Sequence, residues 1–200
     1  MTTAPSYMTP EVYLKEERQQ DTRHEYENGK IIPMGGASKE HNRIVRNILT
    51  TLWAFLKSTN NHEVYANDLR VLCPDTSKYY YPDVLITVGE EKYLDDKFDT
   101  LLNPFIIIEV LSDSTKDRDR TTKFEAYRSI DSFSEYLLVA QDKYCVEGFY
   151  KNEAGDWVIK EPVHGLEAQF TFQHLDLSLD MKDIYNKVLI QEKEEDTTKD

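Results

Sequence analysis

Apolar residues return at three- and four-residue intervals between positions 44 and 56. Ile44, Ile48, Leu52 and Phe55 form one stripe, with Val45, Leu49 and Leu56 beside it. That period predicts a long amphipathic helix, and Ser38 stands where a hydroxyl can cap its first turn. Two later segments follow no such period. Val84-Leu85-Ile86-Thr87-Val88 and Phe105-Ile106-Ile107-Ile108, resumed at Val110-Leu111, are nearly continuous apolar runs, the signature of strands buried on both faces. Thr9-Pro10 opens a first helix to about residue 20, with proline at its first position. Asn28-Gly29 between short apolar runs predicts a hairpin over residues 21–34. Residues 63–73 and 80–88 read as a strand pair around Pro74-Asp75-Thr76-Ser77, followed by a polar loop over 89–103. Residues 135–140 and 144–151 read as another hairpin, 157–160 as a further strand, and 181–188 as a last short helix. Helices and strands alternate, which predicts an α/β fold with a mixed sheet.

Two acids break the apolar pattern. Glu109 interrupts one buried run, and Asp83, within Tyr81-Pro82-Asp83, precedes the other. A carboxylate in such a strand carries a large desolvation cost unless something pairs with it. A hard divalent cation held between two such acids is one partner that would serve. Taken alone, Asp83 also reads as an ordinary start of a strand or as half of a structural ion pair. Asp119, Lys123 and Tyr127 recur every four residues and so share one face of a helix, whose apolar stripe is Phe124, Tyr127 and Ile130. Lys123, at the edge of that stripe, is in reach of Glu109; the alternative is a solvated lysine paired with Asp119.

The order and spacing of these segments resemble the PD-(D/E)xK nuclease superfamily and, within it, the Uma-two family of restriction-endonuclease-like proteins. The resemblance rests on residues 25–34, on Gly36-Ala37-Ser38-Lys39-Glu40-His41, and on Tyr81-Pro82-Asp83-Val84. It continues through Ile108-Glu109-Val110-Leu111-Ser112, Asp119-Arg120-Thr121-Thr122-Lys123 and Ser134-Glu135-Tyr136-Leu137-Leu138-Val139. It departs from the superfamily formula at Leu111, where lysine is wanted, and implies that Lys123 supplies the amine instead. The resemblance implies a restriction-endonuclease-like core, a mixed central sheet flanked by helices, in one domain over residues 1–189 with a charged tail over 190–200. It implies a metal-dependent DNA endonuclease in which Asp83, Glu109 and the Val110 backbone carbonyl hold Mg²⁺ or Mn²⁺ and Lys123 completes the catalytic set. It also places an additional acid at Glu25, which otherwise reads as a surface glutamate. His41, third in the long helix, reads as a contact to a phosphate or to a backbone group. A catalytically silent binding or interaction module on the same fold is the rival reading.

Charge pulls against a nucleic-acid partner. The net charge is −13, whereas phosphate binders carry a basic footprint. Part of the excess belongs to the acid-rich residues 191–200, which read as a disordered tail. Arg43 and Arg46, and then Lys116, Arg118, Arg120 and Lys123, are the clusters that would offset it. Duplex DNA binding is therefore expected to be weak and salt-sensitive. Cys73 and Cys145 make no zinc spacing and read as buried and reduced, which points to the cytoplasm. No stretch is long enough for a membrane span, and no secretory signal is apparent. A homodimer is expected, since two sites suit a two-fold duplex; Tyr79-Tyr80-Tyr81 is the candidate interface surface.

Overall fold

The structure, a computed structural model, describes residues 7–59 and 61–190. The tail expected over 190–200 therefore lies, apart from Ile190, outside the described residues. Helix α1 (Pro10–Glu17) begins as expected, with the Thr9 side chain accepting the Val12 N–H and Pro10 at the first helical position. Strands β1 (His24–Glu27) and β2 (Lys30–Pro33) flank a turn in which both Asn28 and Gly29 have positive φ, 48° and 87°, as a two-residue hairpin turn requires. Helix α2 (Lys39–Leu56) is capped by Ser38 Oγ, which accepts the His41 N–H at 3.0 Å. It buries Ile44, Val45, Ile48, Leu52 and Leu56; Phe55, expected on that face, is exposed.

The larger sheet contains β3 (His62–Ala66), β6 (Val84–Val88), β8 (Ile106–Leu111), β9 (Glu135–Ala140), β10 (Cys145–Lys151), β11 (Trp157–Ile159) and β12 (Val163–His164). Its main path runs β11-β10-β9-β8-β6-β3, with β12 against β10; β8 and β9 are parallel and the other pairs antiparallel. The smaller sheet contains β1, β2, β4 (Arg70–Cys73), β5 (Lys78–Tyr80) and β7 (Thr100–Leu101), in the order β2-β1-β5-β4-β7. A separate hairpin, β13 (Gln169–Thr171) and β14 (Ser178–Asp180), precedes the short helix α5 (Met181–Ile184).

The segment expected to form one strand pair is divided between these sheets. β3 pairs with β6 in the larger, and β4 pairs with β5 in the smaller. The chain leaves one sheet at Asn67, whose φ is 49°, and returns at Pro82, which has no N–H to extend a ladder. Asp83 therefore sits at the point where the chain passes between sheets. The loop expected over 89–103 contains β7, and the last helix is shorter than expected.

Every residue of β8 and β9 is buried, as the unbroken apolar runs implied. Strand alternation divides the core between two faces. Ile106, Ile108 and Val110 pack with the buried stripe of α2. Ile107 and Leu111 pack with Tyr80, Tyr127, Phe133 and Tyr136 on the other side, toward which Glu109 points. Tyr79, Tyr80 and Tyr81 are buried, which removes them as an interface surface; Tyr80 and Tyr81 spend their hydroxyls on Glu27 and Glu17. Cys73 and Cys145 are free and buried. Among the described residues no helix is long and apolar enough to cross a membrane.

Candidate active site

Antiparallel pairing of β6 with β8 sets Val84 opposite Ile108, so the next positions outward, Asp83 and Glu109, face each other. The Asp83 N–H donates to Glu109 Oε2 at 3.3 Å, and the Val110 N–H donates to Asp83 Oδ2 at 2.7 Å. His41 reaches Asp83 Oδ1 through Nε2 at 3.0 Å, so its imidazole serves a carboxylate rather than the backbone group or phosphate expected of it. The first turn of α2, pinned by Ser38 Oγ against Gln141 Oε1 at 2.7 Å, thereby forms one wall beside Asp83.

The other wall is helical: α3 (Lys116–Arg118), a π-turn (Asp119–Lys123) and α4 (Phe124–Tyr127). A π-turn is wider than an α-turn and brings positions four apart closer to alignment, which sends Asp119 and Lys123 the same way. Lys123 Nζ lies 3.0 Å from Glu25 Oε1, 3.1 Å from Glu109 Oε1 and 3.3 Å from Asp119 Oδ1; the Glu109 contact is a hydrogen bond and the other two are ion pairs. Tyr127 donates its hydroxyl to Glu109 Oε1 at 3.0 Å. All five of these side chains are buried, so Lys123 is not a solvated lysine and Glu25 is not a surface glutamate. Arg118 grips Glu25 and Glu27 from the same helical segment, tying β1 of the smaller sheet to it.

Carboxylates outnumber permanent cations here, with Glu25, Glu27, Asp83, Glu109 and Asp119 around Lys123 and Arg118. Burial pushes the Glu109 carboxyl well above its usual range; Lys123 opposes the shift, while Asp119, Asp83 and Glu25 add to it. Burial alone would lower the Lys123 ammonium, but Glu109, Glu25 and Asp119 raise it well above its ordinary value, so it stays protonated at neutral pH.

The basic clusters read from the sequence are spent internally. Arg118 and Lys123 are committed as described, Arg120 binds Glu147 and Lys116 binds Asp113. Arg46 bonds its neighbour Asn47, and Arg43 stands 3.9 Å from Glu40. Two participants went unread in the sequence. Glu27 shares a strand face with Glu25, a period-two signal within Glu25-Tyr26-Glu27 that was present to be used. Tyr136 donates to the Asp119 carbonyl at 3.0 Å, a tertiary contact with no local signature. A cleft of ≈ 890 Å³ lies past the ends of β8 and β9; Ser38, Lys39, Leu111, Ser112, Arg120 and Gln141 are among its lining residues, whereas Asp83, Glu109 and Lys123 are not.

Comparison with known proteins bears on the family and the fold. The family model for Uma2, described as "Putative restriction endonuclease", matches residues 10–181. Two uncharacterized proteins of Synechocystis sp. (strain ATCC 27184 / PCC 6803 / Kazusa) are similar along their length. The protein sll1609 is 34% identical over 169 residues, which is 84% of this chain and 95% of that one. The protein slr1290 is 35% identical over 152 residues, 76% of this chain and 78% of that one. Among solved structures, a protein of Anabaena variabilis ATCC 29413 described as "a putative nuclease belonging to DUF820" superposes with a TM-score of 0.73 at 18% identity, covering 91% of this chain and 99% of that one. That likeness is one of fold.

Proposed function

This chain belongs to the Uma2 family, and from that premise we propose that it is a metal-dependent phosphodiester hydrolase cutting duplex DNA. The observation that carries the reading is the facing pair of Asp83, at the entry to β6, and Glu109 on β8, with Lys123 on Glu109. The fold neighbour's description as "a putative nuclease" supports it.

The donor set suits a hard cation. An ionised carboxylate oxygen has room for two partners; Glu109 Oε2 accepts one N–H at 3.3 Å, and each Asp83 oxygen makes one hydrogen bond. Among the described residues, no group of three or more acidic, histidine or cysteine side chains is placed to hold a metal. Two carboxylates and the Val110 carbonyl, completed by waters, match the habit of Mg²⁺ or Mn²⁺ better than that of a softer ion. When bound, the cation would acidify a water and offset negative charge building on the phosphoryl oxygens. The chain's own residues do the rest. His41 and the Val110 N–H hold Asp83, and Lys123 holds Glu109; the Lys123 ammonium would bring positive charge toward the reacting phosphate, where preorganised charge is effective. Glu25, clamped by Arg118, keeps Lys123 in place.

The internal pairing of Arg118, Arg120 and Lys116 favours the rival, a silent module that binds without cutting. Plasmid cleavage separates the two. The protein is expected to nick plasmid DNA with Mg²⁺ or Mn²⁺, to stop with chelator, and to lose ~100-fold or more in rate as D83N. Absence of any metal-dependent nicking by the wild type would leave only the rival. We also propose a homodimer, because duplex scission needs two cuts on a two-fold substrate. Light scattering is expected to give twice the 23.4 kDa chain mass at micromolar concentration, and a monomer there would end that part of the reading.

A further inference from the structure

We propose that Tyr127 is a positioning residue for the Glu109 carboxylate: its buried hydroxyl fixes Oε1 and so presents Oε2 to the space shared with Asp83. The inference rests on the hydrolase reading and assigns a role that reading leaves open. The terminal torsion of a glutamate is broad and roughly two-fold, so rotamer preference does not decide which way the carboxylate faces. Its donors must decide. Lys123 and Tyr127 both donate to Oε1, at 3.1 and 3.0 Å, while among the described residues Oε2 takes only the Asp83 N–H at 3.3 Å.

The two donors on Oε1 differ in what they can specify. The Lys123 ammonium is a compact charge on a flexible stem, shared with Glu25 and Asp119 as well. It attracts a carboxylate without selecting an orientation. The Tyr127 hydroxyl makes one directional bond from a ring that cannot turn away. Tyr80 meets that ring edge-on at 5.4 Å and 72°, Tyr136 at 5.8 Å and 63°, and Phe133 packs at 5.8 Å. All three are buried, and Tyr127 itself is 0% exposed. A ring packed on three sides holds its hydroxyl where the backbone puts it.

The test uses the full chain as wild type, Y127F, E109Q, and a variant carrying 3-fluorotyrosine at position 127, which keeps the hydroxyl. Calorimetric Mn²⁺ titration is expected to show one site in the wild type, none in E109Q, roughly tenfold weaker binding in Y127F, and recovery with fluorotyrosine. A purely structural tyrosine would lower the melting temperature of Y127F but leave its Mn²⁺ affinity unchanged, and that result overturns the proposal. Should Y127F not fold, 4-fluorophenylalanine, nearer the phenol in size, takes its place with the same expectation. If the wild type itself takes up no Mn²⁺, the hydrolase reading fails, and a metal-free crystal structure of the variant then judges Tyr127 separately. A Glu109 carboxylate rotated from its wild-type orientation supports the assignment; an unmoved one overturns it.

Discussion

Replacing Lys123 by methionine is expected to lower the stability of the protein by about 3–5 kcal/mol, the cost of leaving buried charge without its counter-ion. For a chain of this size that corresponds to roughly 10 °C in melting temperature. The reason is the geometry around Nζ: Glu25, Glu109 and Asp119 converge on one ammonium, and all four groups are buried. Methionine fills similar volume, so the loss is electrostatic rather than a cavity. The sign of its pH dependence follows. The ammonium opposes the rise of the Glu109 carboxyl, so without it that carboxyl keeps its proton in the folded state above the wild-type value of about 8. Above that pH the folded state of K123M still binds a proton that the folded wild type has released, so its deficit should be flat to about pH 8 and grow beyond it. Urea unfolding at pH 7 and pH 9 measures both. A deficit under about 0.5 kcal/mol at pH 9 would be the behaviour of a surface residue and would remove Lys123 from the site.

Much of this centre was legible beforehand, and for identifiable reasons. Glu109 could be found because an acid inside an unbroken apolar run has no solvent-facing alternation to excuse it, and Asp83 because it leads into a second such run. Lys123 could be found because the four-residue spacing from Asp119 to Tyr127 survives the π-turn, which changes the pitch but not the face. The division into two sheets was not legible. It depends on where the chain crosses between them, and Asn67 and Pro82 signal a break without saying which strand follows which partner. Strands β12, β13 and β14 span two or three residues each, too short for a period to register. The tyrosine run was misread because the residue type suits an interface or an interior equally. What decided it was a set of buried acceptors, Glu27 for Tyr80 and Glu17 for Tyr81, distant in sequence. The basic segment after Glu109 failed for the same reason: its partners Glu25, Glu27 and Glu147 come from other strands.

Glu109→Gln should separate stability from function. The Glu109 carboxyl is raised to about 8, first by burial and then by Asp119, Asp83 and Glu25, against the opposing pull of Lys123. A carboxyl whose folded value lies above its unfolded value contributes stability that is whole below the ordinary carboxylate range. That stability is lost as pH rises through the folded value. The wild-type, metal-free protein should therefore weaken between the ordinary carboxylate range and about pH 8 through this group. Glutamine cannot ionise, yet it still offers Oε1 to Lys123 and Tyr127. E109Q should match the wild type in stability near pH 5 and exceed it above pH 8, while losing both the Mn²⁺-dependent rise in melting temperature and ~100-fold or more of any plasmid cleavage. A centre that trades stability for chemistry behaves in this way. A structural Glu109–Lys123 pair would behave oppositely, with E109Q weaker than the wild type above pH 8 and no metal response in either protein. Melting curves of the two proteins at pH 5, 7 and 9, with and without Mn²⁺, distinguish these outcomes, and the second would remove the catalytic reading of Glu109.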